Sequence, residues 1–130
     1  MRRSAFLGAF LVVSVSAPAM AQDVAAGEKQ FTVCRACHQI GPNAKNGVGP
    51  ELNGVVGRKA GSVAGYNYSP ANKNSGLTWD EATLTKYLQN PQEVVKGTKM
   101  IFPGIKDEAK VKDVIAYLAQ FGPDGQKKTQ

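Results

Sequence analysis

The stretch Cys34-Arg35-Ala36-Cys37-His38 contains two cysteines three positions apart and a histidine directly after the second cysteine. Side chains three positions apart lie on the same face of a helix, so both sulfurs can reach one flat group beside that face. The C-x-x-C-H spacing is typical of haem attachment, in which each sulfur adds to one vinyl group and the histidine lies under the iron. The pentapeptide therefore predicts one covalent haem c, bound through Cys34 and Cys37, with His38 as an iron ligand.

Three other interpretations of the two cysteines are open. A structural zinc site needs about four ligands, whereas the chain has two cysteines and one histidine. A thioredoxin-type dithiol would stand at the start of a helix in a βαβ context, and no strand pattern of useful length is present. A plain disulfide is ordinary for two cysteines in an exported protein, but it would leave His38 without a role. Haem attachment explains all three side chains and is the preferred interpretation.

The first residues have the layout of a secretory signal peptide. Basic Met1-Arg2-Arg3 is followed by the apolar run Ala5–Val15 and by small residues that end at Ala21. The alternative is an uncleaved membrane anchor, but this run is well short of the ~20 residues that a spanning helix needs. We expect residues 1–21 to be removed by cleavage after Ala21, which leaves residues 22–130 as a single domain in the periplasm.

The charge of the chain is moderately basic. The 16 Lys and Arg residues outnumber the 10 Asp and Glu residues. Loss of Arg2 and Arg3 with the signal peptide would leave a formal charge of +4 on the mature chain. Such a surplus suits weak steering toward an acidic partner surface. The lysines are scattered and form no run interleaved with aromatic residues, so nucleic-acid binding is not expected.

Helical signals flank a long polar segment, and together they predict an all-α protein. Residues 39–76 hold eight of the 14 glycines and show no sustained period, and loops of that length usually carry function. The tail at residues 124–130 is expected to be frayed. The first predicted helix spans residues 23–34 with Asp23 as N-cap, and the second follows the capping box Thr78-x-x-Glu81. A short third helix begins at Asn90-Pro91 and ends at Gly97. The last helix runs through Val111, Val114, Ile115 and Leu118 and ends before Gly122-Pro123.

The sixth iron ligand can be approached by elimination. Met1 and Met20 leave with the signal peptide and His38 is already used, so Met100 is the one remaining sulfur or imidazole donor besides the two cysteines. A lone methionine more often fills a gap in a core. Met100, however, lies in the loop Gly97–Gly104, where a packing role is less expected. A thioether opposite imidazole raises the reduction potential, whereas an open sixth position would suit gas binding or catalysis.

The segments that follow the pentapeptide match a known family in type and order. They are Gly49-Pro50-x-Leu52-x-Gly54, Gly57-Arg58-Lys59-x-Gly61, Tyr66-x-Tyr68, Ala71-Asn72-Lys73-Asn74, Leu77-Thr78-Trp79, Tyr87-Leu88-x-Asn90-Pro91 and Gly97-Thr98-Lys99-Met100-Ile101-Phe102. With these segments, residues 31–118 resemble the class I cytochromes c, and most of all the group of mitochondrial cytochrome c and bacterial cytochrome c2. The resemblance implies a few short helices and long loops wrapped around one haem.

The resemblance also implies roles for individual residues. The Pro50 carbonyl would accept the imidazole N–H of His38, and Tyr87 would hydrogen-bond near the Met100 sulfur. Tyr87 and Trp79 could instead be ordinary core aromatics, and Arg58 an ordinary surface charge. Candidates for holding the haem propionates are Arg58, Tyr68, Trp79 and Thr98, and Asn72 would organise an internal water. The pocket lining would be Leu52, Tyr66, Leu84, Leu88, Ile101 and Phe102, and the first and last helices would meet at Gly27, Phe31 and Tyr117.

The function that the resemblance implies is single-electron transfer by a soluble monomer, without an enzymatic reaction or membrane insertion after cleavage. The electron donor would be a membrane quinol:cytochrome c oxidoreductase, and the acceptor a terminal oxidase or a photosynthetic reaction centre. Transient docking would use Lys45, Lys99 and Lys106. The docking face is expected to be less basic than in mitochondrial proteins, because the following residues replace lysines there: Val33, Gly47, Gln92, Glu93 and Asp107. The alternatives are a thiol oxidoreductase, a peroxidase-like haem enzyme and a sensory or gas-binding haem domain.

Overall fold

The computed structural model describes residues 12–14 and 22–128. This part of the chain is helical and contains no strand, apart from two isolated bridges between backbone segments. The predicted all-α class is therefore confirmed. The signal-peptide cleavage predicted after Ala21 lies outside the described residues. The elements in chain order are α1 (Val24–Phe31), a 3₁₀ turn (Cys34–Ala36), α2 (Pro70–Lys73), α3 (Glu81–Gln89), α4 (Pro91–Val94) and α5 (Glu108–Ala119).

Helix α1 begins as predicted and ends earlier than predicted. The Asp23 side chain accepts a hydrogen bond from the Ala26 N–H over 3.0 Å, which makes Asp23 the N-cap. The expected continuation to Cys34 is wrong, because the α-helix ends at Phe31. The next two residues are the β-branched Thr32 and Val33, which disfavour helix, and the chain then tightens into the 3₁₀ turn.

Helix α1 lies directly against α5, and this contact is the centre of the core. Phe31 is 0% exposed, and its ring lies 5.2 Å from the ring of Tyr117. A Cβ atom at Gly27 would overlap the backbone carbonyl of Asp113 in α5, so only glycine allows this approach. The Asp113 carboxylate also accepts a hydrogen bond from the Asp23 N–H over 3.0 Å. The predicted contact between the first and last helices is confirmed.

Helix α3 presents the residues that the sequence assigns to it, but its cap differs. Asp80, rather than Thr78, is the N-cap, and its side chain accepts from the Thr83 N–H over 2.8 Å. Thr78 instead forms an isolated bridge with Lys59. The buried face of α3 consists of Leu84, Tyr87 and Leu88, as the periodicity predicts.

Two short helices begin at proline. Helix α2 was not predicted and interrupts the polar segment. The Ser69 side chain caps it by accepting from the Asn72 N–H over 3.1 Å, with proline at the first helical position. The same cap-then-proline pattern at Asn90-Pro91 correctly predicted α4, so Ser69-Pro70 was the available signal for α2. Helix α4 ends at Val94, three residues before the expected stop at Gly97.

The C-terminal tail was predicted to be frayed, and this prediction is wrong as far as residue 128. Phe121 forms a bridge with Lys127, and the Gly122 N–H donates to the Gln126 carbonyl over 2.9 Å. Gly125 makes the turn possible, because its φ of +80° is open to glycine and strained for other residues. The turn folds the tail back onto the end of α5.

None of the helices in the described ranges is long and apolar enough to cross a bilayer.

Candidate functional site

The pentapeptide forms a tight turn directly after α1. The Cys37 and His38 N–H groups both donate to the Cys34 carbonyl, over 3.1 and 2.9 Å. Cys34 is partly buried and Cys37 is exposed. Burial, with a smaller contribution from Cys37, raises the pKa of the Cys34 thiol to about 11. The thiol is therefore protonated at neutral pH, unlike the low-pKa nucleophile that thiol oxidoreductases require.

His38 is oriented by two neighbours in the loop that follows the turn. Its Nδ1 donates to the Pro50 carbonyl over 2.7 Å, the contact that the resemblance implies, and this leaves Nε2 for a metal. The backbone of Gly49 lies so close to the imidazole that a Cβ atom there would overlap the ring. Burial lowers the pKa of His38, so the imidazole is neutral and able to ligate.

Met100 is held by the buried end of α3. The Tyr87 hydroxyl donates to the Met100 sulfur over 3.6 Å and lies 3.4 Å from the Thr98 hydroxyl. Burial raises the pKa of Tyr87, which keeps its hydroxyl protonated as a donor. Thr98, predicted as a propionate partner, also accepts from the Met100 N–H over 3.2 Å. The three side chains thus form one hydrogen-bonded group around the candidate sulfur ligand.

Arg58 is largely buried, so the alternative of an ordinary surface charge is wrong. One of its terminal nitrogens donates to the carbonyls of Glu51 and Asn53, each over 3.0 Å. The Glu51 carboxylate lies 3.7 Å from the same nitrogen. The Arg58 Nε is buried with no hydrogen-bond partner among the described residues. A buried donor of this kind is costly unless an acceptor occupies the site, and an anionic group fits.

Asn72 carries a buried hydrogen-bond acceptor that, like the Arg58 Nε, has no partner among the described residues. This acceptor is its side-chain oxygen. Its position in α2 follows from the Ser69 cap, so the short helix decides where this amide lies. A buried amide oxygen without a protein partner suits an ordered water.

The remaining aromatic candidates lie beside these groups. The Trp79 ring packs on the Tyr87 ring at 4.6 Å, and its backbone N–H donates to the Arg58 carbonyl over 2.8 Å. The Tyr68 hydroxyl accepts from the Val63 N–H over 3.0 Å, and its ring meets the Tyr66 ring edge to face at 4.8 Å. Trp79 therefore links the Met100 group to Arg58, while Tyr68 belongs to a neighbouring aromatic pair.

Together the residues fit a covalently bound haem. The pentapeptide supplies two thiols and an imidazole, and Met100 supplies a thioether. The unpartnered Arg58 Nε and Asn72 oxygen supply buried polar atoms. Zinc is a poorer match, because no group of three or more His, Cys, Asp or Glu side chains able to hold a metal occurs among residues 12–14 and 22–128. Ile101, which was predicted to line the pocket, is 97% exposed and so is not covered by protein, and its contact with the haem stays a prediction.

The three candidate docking lysines differ in their surroundings. All three are exposed. Lys99 donates to the Asn67 carbonyl and lies over the Tyr66 ring, 5.7 Å from its centroid. Lys106 donates to the carbonyls of Gln89 and Pro103, over 2.8 and 3.1 Å. Two of the three ammonium groups therefore have backbone partners within the molecule.

Sequence reasoning missed some residues that support the site. Glu51 and Asn53 hold Arg58, as described above. Arg35, inside the pentapeptide, donates to the Tyr117 hydroxyl over 2.9 Å and lies over the Phe31 ring at 5.0 Å. It thereby ties the attachment turn to the α1 and α5 contact. No local pattern signals the contact between Arg35 and Tyr117, because these residues stand 82 positions apart.

Comparisons with known proteins agree with this geometry. A family model described as Cytochrome c matches residues 24–122. The cytochrome c2 of Blastochloris viridis is 54% identical over 128 residues, covering 98% of this chain and 100% of that protein. The solved cytochrome cH from Methylobacterium extorquens is 58% identical, with a TM-score of 0.69, over 74% of this chain and 96% of that one. The solved cytochrome c2 from Rhodospirillum centenum is 44% identical, with a TM-score of 0.72, over 78% and 99%. The matched range contains every candidate site residue from Cys34 to Met100.

Proposed function

Because this chain belongs to the cytochrome c family, we propose that it is a periplasmic single-electron carrier whose haem iron is ligated by His38 and Met100. The family has the class I cytochrome c fold and carries haem c attached covalently through two cysteines, which in this chain are Cys34 and Cys37. The similarity to cytochromes c2 supports the role of an electron carrier for this chain. The compartment, the axial ligands and the partners are the further steps of the proposal.

The observation that carries the proposal is the hydrogen bond from the buried Tyr87 hydroxyl to the Met100 sulfur. A methionine that only fills a gap needs no polar partner, whereas this sulfur is oriented by a donor on a rigid helix. An occupied sixth position favours electron transfer, because no site is left open for a substrate or a gas. The same hydrogen bond therefore disfavours the peroxidase-like and gas-binding alternatives.

The protein groups around the haem would bind it and orient its two proposed iron ligands. The haem supplies an iron that alternates between the ferric and ferrous states. Pro50 fixes the tautomer of His38, and Thr98 and Tyr87 fix the position of Met100. Arg58, together with Tyr68, Trp79 and Thr98, would hold the haem propionates, and Asn72 would hold an internal water. Close packing of the surrounding helices would limit how far these groups move when the iron changes its charge.

The proposed compartment follows from the predicted signal peptide, and the proposed docking follows from the positive charge of the mature chain. Residues 1–21 have the pattern of a signal peptide cleaved after Ala21, which would deliver the monomeric domain to the periplasm. There it would take electrons from a membrane quinol:cytochrome c oxidoreductase and give them to a terminal oxidase or a photosynthetic reaction centre. Lys45, Lys99 and Lys106 would contribute to transient docking on acidic surfaces.

The thiol oxidoreductase alternative has less support. Its attacking cysteine would have to be a thiolate at neutral pH, whereas burial raises the pKa of Cys34 to about 11. Cys37 is exposed, and the family to which the chain belongs uses this pair of cysteines to attach haem.

A redox titration of the purified holoprotein, recorded with its optical spectrum, tests the proposal. We expect one reversible single-electron transition, and a methionine-to-iron charge-transfer band in the ferric state. A ferric spectrum without this band would exclude Met100 as the ligand. A spectrum without thioether-bound haem after denaturation would overturn the whole proposal.

A further inference from the structure

The loop that carries Met100 returns to the helix that carries Tyr87. The Ile105 N–H donates to the Leu88 carbonyl over 2.8 Å. Gly104, with a φ of +103°, lies so close to the Gln89 carbonyl that a Cβ atom would overlap it. Residues 97–106, here called the methionine loop, therefore contact the last turn of α3 at their C-terminal end as well as at Met100.

Lys106 joins the two sides of this contact. Its ammonium donates to the Gln89 carbonyl, at the last residue of α3, over 2.8 Å, and to the Pro103 carbonyl in the loop over 3.1 Å. The last carbonyls of a helix lack partners within the helix and carry its negative end, so a cation is favourable there. We propose that Lys106 is a positioning residue that holds the methionine loop against α3 and so keeps Met100 beside Tyr87.

The position of α3 explains how an exposed lysine can act on a buried ligand. Tyr87 lies in the last turn of the helix and holds the Met100 sulfur, and Gln89 ends the same helix two residues later. The loop is thus attached to α3 at Met100 and again at its C-terminal end, where the Ile105 N–H and the Lys106 ammonium both donate to the helix. Loss of the Lys106 contact weakens the C-terminal attachment and so makes it easier for Met100 to move away from Tyr87. This inference rests on the proposed ligation by Met100 and gives Lys106 a role besides docking.

The expected effect is modest because Lys106 is exposed. A cation at a helix C-terminus contributes about 0.3–1 kcal/mol, which corresponds to about a two- to five-fold change in an equilibrium constant. Loss of the ammonium should therefore raise the population of the opened loop by that factor without unfolding the domain.

The experiment uses ferric holoprotein and cyanide, which binds the iron only after the sixth ligand leaves. Lys106→Met keeps the aliphatic stem and removes the charge. Lys106→Arg keeps the charge and should restore most of the parent behaviour. Lys110→Met makes the same change at an exposed lysine of α5 and serves as the control. We expect Lys106→Met to bind cyanide about two to five times faster than the parent, with a weaker methionine-to-iron band and a lower reduction potential. Lys110→Met should match the parent in all three measurements.

Two results would overturn the inference. One is an unchanged cyanide rate, band and potential in Lys106→Met. The other is an equal change in Lys110→Met, because a general loss of positive charge would then explain it. Failure of the proposed function looks different, since the parent protein itself would then lack the methionine-to-iron band.

Discussion

The hydroxyl of Tyr87 lies 3.6 Å from the Met100 sulfur and donates a hydrogen bond to it, from a side chain that helix α3 keeps buried. A donor aimed at a thioether sulfur withdraws electron density from it. A less donating thioether stabilises ferrous iron relative to ferric iron, so Tyr87 should tune the reduction potential as well as position Met100, the proposed ligand.

Tyr87→Phe removes this donor while preserving the ring that packs against Trp79. We expect the reduction potential to fall by about 20–65 mV. A hydrogen bond contributes about 0.5–1.5 kcal/mol net, and a tenfold change in the equilibrium constant between the ferric and ferrous forms corresponds to about 59 mV for one electron. Protein-film voltammetry measures the shift. A potential equal to or above that of the parent would show that the hydroxyl has no such influence.

Met100→Ala should keep the haem, since Cys34, Cys37 and His38 remain, but it should open the sixth position. Water, Lys99 or an added ligand could then bind, and the reduction potential should fall because the ligand that favours ferrous iron is gone. Peroxidase activity should increase. The measurements are the axial-ligand spectrum, imidazole binding and voltammetry. If spectrum and potential both stay as in the parent, Met100 is a packing residue and the His/Met assignment is wrong.

Covalent attachment and signal cleavage can be checked by a single intact mass. Protein recovered from the periplasm should have the mass of residues 22–130 plus one haem, and both thiols should fail to react with an alkylating reagent. A mass equal to the apo chain with a disulfide would contradict haem attachment. A heavier haem-bearing chain would contradict only the cleavage after Ala21.

Docking should depend on Lys45, whose ammonium, unlike those of Lys99 and Lys106, donates to no backbone carbonyl among the described residues. Lys45→Glu should slow electron transfer to an acidic partner at low salt, and the difference should shrink near 0.1 M salt, where charges are screened over about 10 Å. Lys110→Glu on α5 makes the same change in net charge outside the proposed face. Equal rates for both variants at every ionic strength would place the docking face elsewhere.

Gly27→Ala tests the contact between α1 and α5. The added methyl group would overlap the Asp113 carbonyl, and overpacking of this kind costs about 1–3 kcal/mol in the free energy of unfolding. Lys29→Ala, at an exposed position of the same helix, should change stability by about 0.5 kcal/mol or less. Guanidinium titration of the holoprotein measures both. A Gly27→Ala midpoint equal to that of the control would mean that the helices can separate without cost.

Much of the fold followed from local patterns, and the errors have local causes. Asp23 and the buried face of α3 were predicted because caps and 3.6-residue periodicity are properties of one segment. The end of α1 was misplaced because a 3₁₀ turn continues a helical pattern with different geometry. Helix α2 was not predicted because the glycine-rich segment around it indicated a loop, although Ser69-Pro70 has the pattern of an N-cap followed by proline.

The sequence by itself determined the chemistry of attachment, because the two thioether bonds and one proposed iron ligand come from five consecutive residues, whose spacing is a property of the covalent chain. It also singled out Met100, because few soft donors exist in the chain. Only the tertiary structure decided which groups support these ligands. Arg35 reaches Tyr117, Arg58 is enclosed by Glu51 and Asn53, and Lys106 meets the end of α3. Such contacts arise when distant or irregular segments pack against one another, and hydrogen bonds between them depend on distances that no periodicity encodes.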